Sequence, residues 1–148
     1  MAKYAVTFGK GTASVTQLVE VLSSATVRRI KWYDLEWGNI STTADAAFDF
    51  RVQRMTASGT GATVTPQKLD PADAAALSTA EDTCTVDGTF TAGEIVLRLG
   101  LNQRASFRWV APPGGELVSQ ATSAAGFGLR LASASTSDFA GHVHIEEQ

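Results

Sequence analysis

Strict alternation of apolar and polar side chains, repeated in several short runs, is the feature that most constrains this chain. In Phe48-Asp49-Phe50-Arg51-Val52-Gln53-Arg54, Phe48, Phe50 and Val52 point one way while Asp49, Arg51 and Gln53 point the other, as a half-buried strand requires. Ile95, Leu97, Leu99 and Leu101 share a face opposite Arg98. Ala105, Phe107 and Trp109 lie opposite Arg104, Ser106 and Arg108; Phe127, Leu129 and Leu131 lie opposite Arg130; Val143 and Ile145 lie opposite His142 and His144. Tyr4 to Phe8 and Val15 to Leu22 are strand-like as well. So is Val27 to Trp37, where the apolar phase slips between Trp32 and Tyr33, a sign of a β-bulge or of a strand buried on both faces.

Turn signals separate these runs: Gly9-Lys10-Gly11, Trp37-Gly38-Asn39, Ser58-Gly59-Thr60-Gly61, Asp87-Gly88 and Pro112-Pro113-Gly114-Gly115. About eight strands at short spacing, with no helix-then-strand rhythm, predict an all-β fold, a jelly-roll-like sandwich or barrel. One short helix is expected at Asp70-Pro71-Ala72-Asp73-Ala74-Ala75-Ala76-Leu77, which offers an N-cap aspartate, proline at the first helical position and an alanine run. It falls inside 56–93, a stretch of small and polar residues with weak strand signals. A connection that long is usually functional or ordered by a neighbour, so 56–93 is expected to be an extended loop or arm that packs on another subunit.

A chain of 148 residues is a single domain, 1–148, large enough to bury a core without staples. Ala, Gly, Ser and Thr make up 65 of those residues and lysine only four, a mixture that favours strands and turns over helical bundles. The net charge of −3 argues against a nucleic-acid partner. No apolar run approaches the roughly 18 residues of a membrane span, and Met1 to Phe8 lacks the apolar stretch of a signal peptide, so a soluble protein is expected. The single cysteine, Cys84, excludes an internal disulfide and a multi-cysteine metal site.

Signs of catalysis are sparse. His142 and His144 project to one strand face, with Glu146 continuing the stripe, and two imidazoles there have metal-binding chemistry. A cupin would place its motif early in the barrel and add a histidine from a later strand; these are the only two histidines, and the stripe reads as the solvent-facing side of the last strand. No metal or cofactor is expected. Cys84 between two threonines has no adjacent activating base. Gly59-Thr60-Gly61 and Gly126-Phe127-Gly128 lack a phosphate loop's lysine and read as turns or strand edges, and no Gly-x-Ser-x-Gly elbow occurs. Asp34 and Glu36 read as the solvated side of their strand. The chain is not expected to be an enzyme.

The arginines say more. Arg51, Arg54, Arg98, Arg104, Arg108 and Arg130 lie on four predicted strands, and arginines outnumber lysines two to one. They are either ordinary outward residues paired with Asp49, Asp34 or Glu36, or a polar but dryable face for another subunit, a role that suits the planar, weakly hydrated guanidinium. Trp37, beside its Gly-Asn turn, is the expected interface anchor, with Arg51, Arg54, Arg104 and Arg108 around it; Trp109 fits the core by its phase.

The stretch Leu101-Asn102-Gln103-Arg104-Ala105-Ser106-Phe107-Arg108-Trp109-Val110-Ala111, followed by Pro112-Pro113-Gly114-Gly115-Glu116-Leu117, resembles the small β-barrel virion proteins of tailed bacteriophages. Arg54 to Gly61 and Thr65 to Pro71 share the likeness, which runs from about Val27 onward. The resemblance implies a jelly-roll decoration, or cement, protein that sits as a homotrimer on the outside of the capsid in the virion, after assembly in the host cytoplasm. Its partner would be the major capsid protein, whose lattice it would stabilise by binding the assembled form. Three alternatives stay open: a tail or receptor-binding domain stacking glycans on Trp37 or Tyr33, a single jelly-roll shell subunit, and a metal-dependent barrel enzyme using His142 and His144.

Overall fold

Side chains that alternate along short runs can all be buried only if the strands close face to face, and the chain does this with two antiparallel sheets. The computed structural model describes residues 1–9, 15–24, 28–41 and 45–148. Its strands are β1 (Lys3–Phe8), β2 (Gln17–Ser23), β3 (Ile30–Asn39), β4 (Ala47–Ala57), β5 (Thr60–Val64), β6 (Gln67–Lys68), β7 (Ser78–Val86), β8 (Thr89–Asn102), β9 (Phe107–Val110), β10 (Leu117–Val118), β11 (Gly126–Leu131) and β12 (Phe139–Glu147). One sheet, here sheet A, runs β10-β3-β12-β1-β6, with β9 beside β10 on the same edge of β3; sheet B runs β5-β7-β2-β11-β4-β8. Tyr4, Val6, Trp32, Leu35, Trp37, Val143 and Ile145 of sheet A meet Val19, Val21, Phe50, Val52, Phe127 and Leu129 of sheet B in one core.

The phase slip in the third predicted strand is a β-bulge. His144 pairs with Asp34 and Ile145 with Trp32, so Tyr33 is the extra residue on β3. The bulge keeps Trp32, Leu35 and Trp37 all facing inward and turns Asp34 and Glu36 to the outer face. Gly141 lets β12 lie this close to β3: a Cβ there would sit 1.9 Å from the Glu36 carbonyl oxygen.

Four expectations are corrected. Twelve strands are present among the described residues rather than about eight, several of them very short. The helix at 70–77 does not form. Asp70 does cap, accepting the Ala72 N–H at 2.9 Å, and the Asp73 N–H bonds the Asp70 carbonyl at 3.0 Å, but the turn does not propagate. Tyr4 donates its hydroxyl to the Ala74 carbonyl, and the Glu147 carboxylate accepts the N–H groups of Leu77 and Ser78 at 2.9 and 2.7 Å. These tertiary bonds take the backbone groups a helix would use, and two turns are too few to repay nucleation. The segment 56–93 is no arm: it holds β5, β6, β7 and the start of β8, with β7 paired to β2 and β6 to β1. Gly126 and Gly128, read as turn or edge residues, lie in β11 between β2 and β4; a Cβ on Gly126 would meet the Val21 carbonyl at 2.1 Å. Lys10, Gly11 and Val27 lie outside the described residues.

Candidate functional site

The outer face of sheet A carries the densest cluster of reactive side chains. The register aligns Ala5, His144, Asp34 and Val110 in one row across β1, β12, β3 and β9, and Thr7, His142, Glu36 and Arg108 in the next. Arg108 grips Asp34 with a two-pronged pair, Nε to Oδ1 at 3.0 Å and Nη2 to Oδ2 at 2.7 Å, and its Nε lies 3.8 Å from Glu36. His144 Nδ1 approaches Asp34 Oδ2 at 3.4 Å, the two imidazoles lie 4.5 Å apart between centroids, and the bulged Tyr33 ring stands 5.9 Å from His144. One donor atom each from Asp34, His142 and His144 falls within 4.8 Å of the others.

Hydrogen bonding by Arg108 holds the Asp34 carboxyl below its usual range, against the opposing effect of burial. Burial pushes the His144 imidazole down, the neighbouring His142 adds to this, and Asp34 opposes it. Asp34 is therefore an anion and His144 neutral near pH 7. His142 Nε2 is shielded from solvent and has no hydrogen-bond partner among the described residues.

The outer face of sheet B is divided. Toward β4 and β8 it is open, and Arg130, Arg51 and Arg98 lie directly opposite one another on β11, β4 and β8. Like charges in register repel. Asp49 offsets part of this by taking Arg51 at 2.6 Å and Arg98 at 2.8 Å, and those hydrogen bonds hold its carboxyl at about 2. Arg130 lies over the Phe90 ring at 4.5 Å. Toward β2 the same face is sealed. Glu20, 1% exposed, accepts from Gln17 Nε2 at 2.5 Å, from the Ser58 hydroxyl and from the Gly59 N–H at 3.1 Å. Gln17 also donates to Cys84 Sγ at 3.1 Å and accepts from the Gly88 N–H at 2.9 Å. Burial pushes the Cys84 thiol up to about 12.

The five residues expected at an interface are not brought together. Trp37 is a core residue, 2% exposed, with its ring 5.2 Å from Phe50 and 5.1 Å from Phe107. Gly38 and Asn39 continue β3 instead of turning away from it, paired with Ala140 and Phe139, so the expected anchor is corrected. Arg51 lies in the sheet B row. Arg54 spans the sheets, donating to the Val118 carbonyl at 2.7 Å and lying over the Phe127 ring. Arg104 sits near Asp45 at 3.6 Å, and Arg108 belongs to the sheet A cluster. The arginine row is completed by Arg98 and Arg130, which only strand register could have joined to Arg51. Asp34's place beside the histidines, and the sealed network around Glu20, likewise depend on pairings that no local motif signals. Comparison with family models, with curated proteins and with solved structures finds no match to this chain.

Proposed function

We propose that the chain is a virion structural protein of the jelly-roll type that binds the outside of a tailed-phage capsid and stabilises its lattice as a decoration protein. The strand order supports the fold part of this reading. β1-β12-β3-β9 in sheet A faces β2-β11-β4-β8 in sheet B, the order expected of eight strands wound as two Greek keys, with β5 to β7 as an insertion between β4 and β8 and β10 as a short edge addition. Because fold alone does not carry function, the functional part rests on one observation, the row Arg130, Arg51 and Arg98, held in repulsive register with Asp49 as its ion-paired carboxylate. A partner surface rich in carboxylates relieves that repulsion, and guanidinium groups suit such an interface. Repetition over a symmetric lattice multiplies a modest contact into firm attachment.

The test is to mix the purified chain with expanded tailed-phage capsids lacking decoration and to examine them by electron cryomicroscopy, alongside light scattering for the homotrimer that the resemblance implies. Regular occupancy that falls with salt, and falls further in Arg51→Glu and Arg98→Glu, is the expected result. A stable monomer that leaves the capsids bare overturns the proposal.

A further inference from the structure

We infer that Asp34, His142 and His144 form a binding site for a divalent transition metal of the zinc and nickel class. His142 and His144 lie on alternate positions of β12 and point to the same face. Two imidazoles alone are a weak metal site. The Tyr33 bulge supplies the third ligand by bringing Asp34 opposite His144 instead of turning it into the core. Nitrogen and carboxylate donors bound at about 2.1 Å around a tetrahedral ion are about 3.4 Å apart, and the contact between His144 Nδ1 and Asp34 Oδ2 is 3.4 Å. All three donors lie within 4.8 Å of one another, so small side-chain rotations bring them onto one ion. His142 Nε2, solvent-shielded and without a partner among the described residues, is a donor position whose desolvation is otherwise uncompensated.

Arg108 does not block the site. Each carboxylate oxygen has two lone pairs, so Asp34 can accept from the guanidinium and still offer Oδ2 to an ion. In metal centres, hydrogen bonds of this kind orient the ligating group. Arg108 therefore acts as a positioning residue, while Glu36, directly opposite His142, adds negative charge to the same face. Two imidazoles and one carboxylate suit zinc or nickel better than calcium or magnesium, which prefer all-oxygen sites.

The experiment uses the full chain, stripped with EDTA and titrated calorimetrically with Zn2+ and then with Ni2+. One ion per chain is expected, and His142→Gln, His144→Gln and Asp34→Asn should each weaken binding about tenfold or more. Glu146→Gln, on the same stripe but outside the triad, should leave affinity unchanged. Circular dichroism of each metal-free variant checks the fold; His142 is only half-buried, so His142→Gln decides the matter even if Asp34→Asn unfolds. Absence of saturable binding overturns the inference, as does binding that survives His142→Gln and His144→Gln, or a loss in Glu146→Gln as large as in either histidine variant.

Discussion

Two polar clusters occupy the outer faces of the two sheets, and they differ in what covers them. Around Glu20 on sheet B, the segments carrying Ser58, Gly59 and Gly88 close over the side chains, the Ser58 hydroxyl and the Gly59 N–H donating to Glu20 and the Gly88 N–H to Gln17. Around Asp34 on sheet A the cover is a side chain and not backbone: the carboxylate is buried beneath Arg108, which is itself half-exposed. Both clusters pair a carboxylate with a neighbouring side-chain donor. The sealed one spends its hydrogen-bonding capacity on holding 56–61 and 86–88 against β2, so it is structural. The one on sheet A leaves its two imidazoles only partly covered and a His142 nitrogen without a hydrogen-bond partner among the described residues, so it keeps donor capacity for binding.

The largest effect that tests this contrast comes from emptying the sealed cluster. Glu20→Ala leaves the Gln17 amide, the Ser58 hydroxyl and the Gly59 N–H without their shared acceptor, and should destabilise the protein by about 3 kcal/mol. Glu36→Ala, on the open face, should fall within about 0.5 kcal/mol of the parent. Urea unfolding of both variants measures the difference. Equal midpoints would mean that the cover over Glu20 contributes no more than an exposed ion pair does.

The same contrast explains what the sequence made legible. Period-two runs located most long strands, and the phase slip at Trp32 and Tyr33 marked the bulge, because alternation is a local property that burial enforces residue by residue. The stretch 56–93 misled because β5 and β7 are built mainly of small and polar residues and send only single side chains such as Val64 and Ala80 to the core, so no apolar stripe marks them. Asp70 to Leu77 carries sound helix-start chemistry, yet Tyr4 and Glu147, far away in sequence, capture its backbone groups. Trp37 misled for a related reason: Gly38 and Asn39 look like a turn but pair with β12. The arginine row and the Asp34 cluster are products of cross-strand register, which alternation within one strand does not encode.

Cys84 gives a second, smaller test of the seal. Its thiol belongs to the covered cluster and ionises only at about 12 in the folded protein. An acid whose pKa is raised on folding stabilises fully below its unfolded value, and that contribution is lost as pH rises toward the folded value. Stability should therefore decline between about pH 9 and pH 12, as the thiol ionises in the unfolded chain before it does in the folded one. Cys84→Ala should lack that component of the slope, which denaturant midpoints collected across the range will detect. Iodoacetamide should leave the native thiol unmodified at pH 8 and label it once the chain is unfolded. Rapid labelling of the native protein would show that the cover opens readily.

The smallest effect comes from the open face of sheet B, where solvent screens the charges. Arg51 and Arg98 both bond Asp49, whose carboxyl is held at about 2. An acid with a depressed pKa stabilises above its unfolded value, near 4, and that stabilisation is lost as pH falls through the folded value near 2. Acid titration of the unfolding midpoint should show this loss between about pH 4 and pH 2, and Asp49→Asn should remove its contribution. Salt should shrink the difference between parent and variant, because exposed pairs are screened over about 10 Å at 0.1 M. A buried ion pair would resist such screening, as should the midpoint difference between the parent and Glu20→Ala. Should salt leave the Asp49 effect untouched, the arginine row is drier than its exposure indicates, and the distinction between a sealed and an open part of sheet B fails at that point.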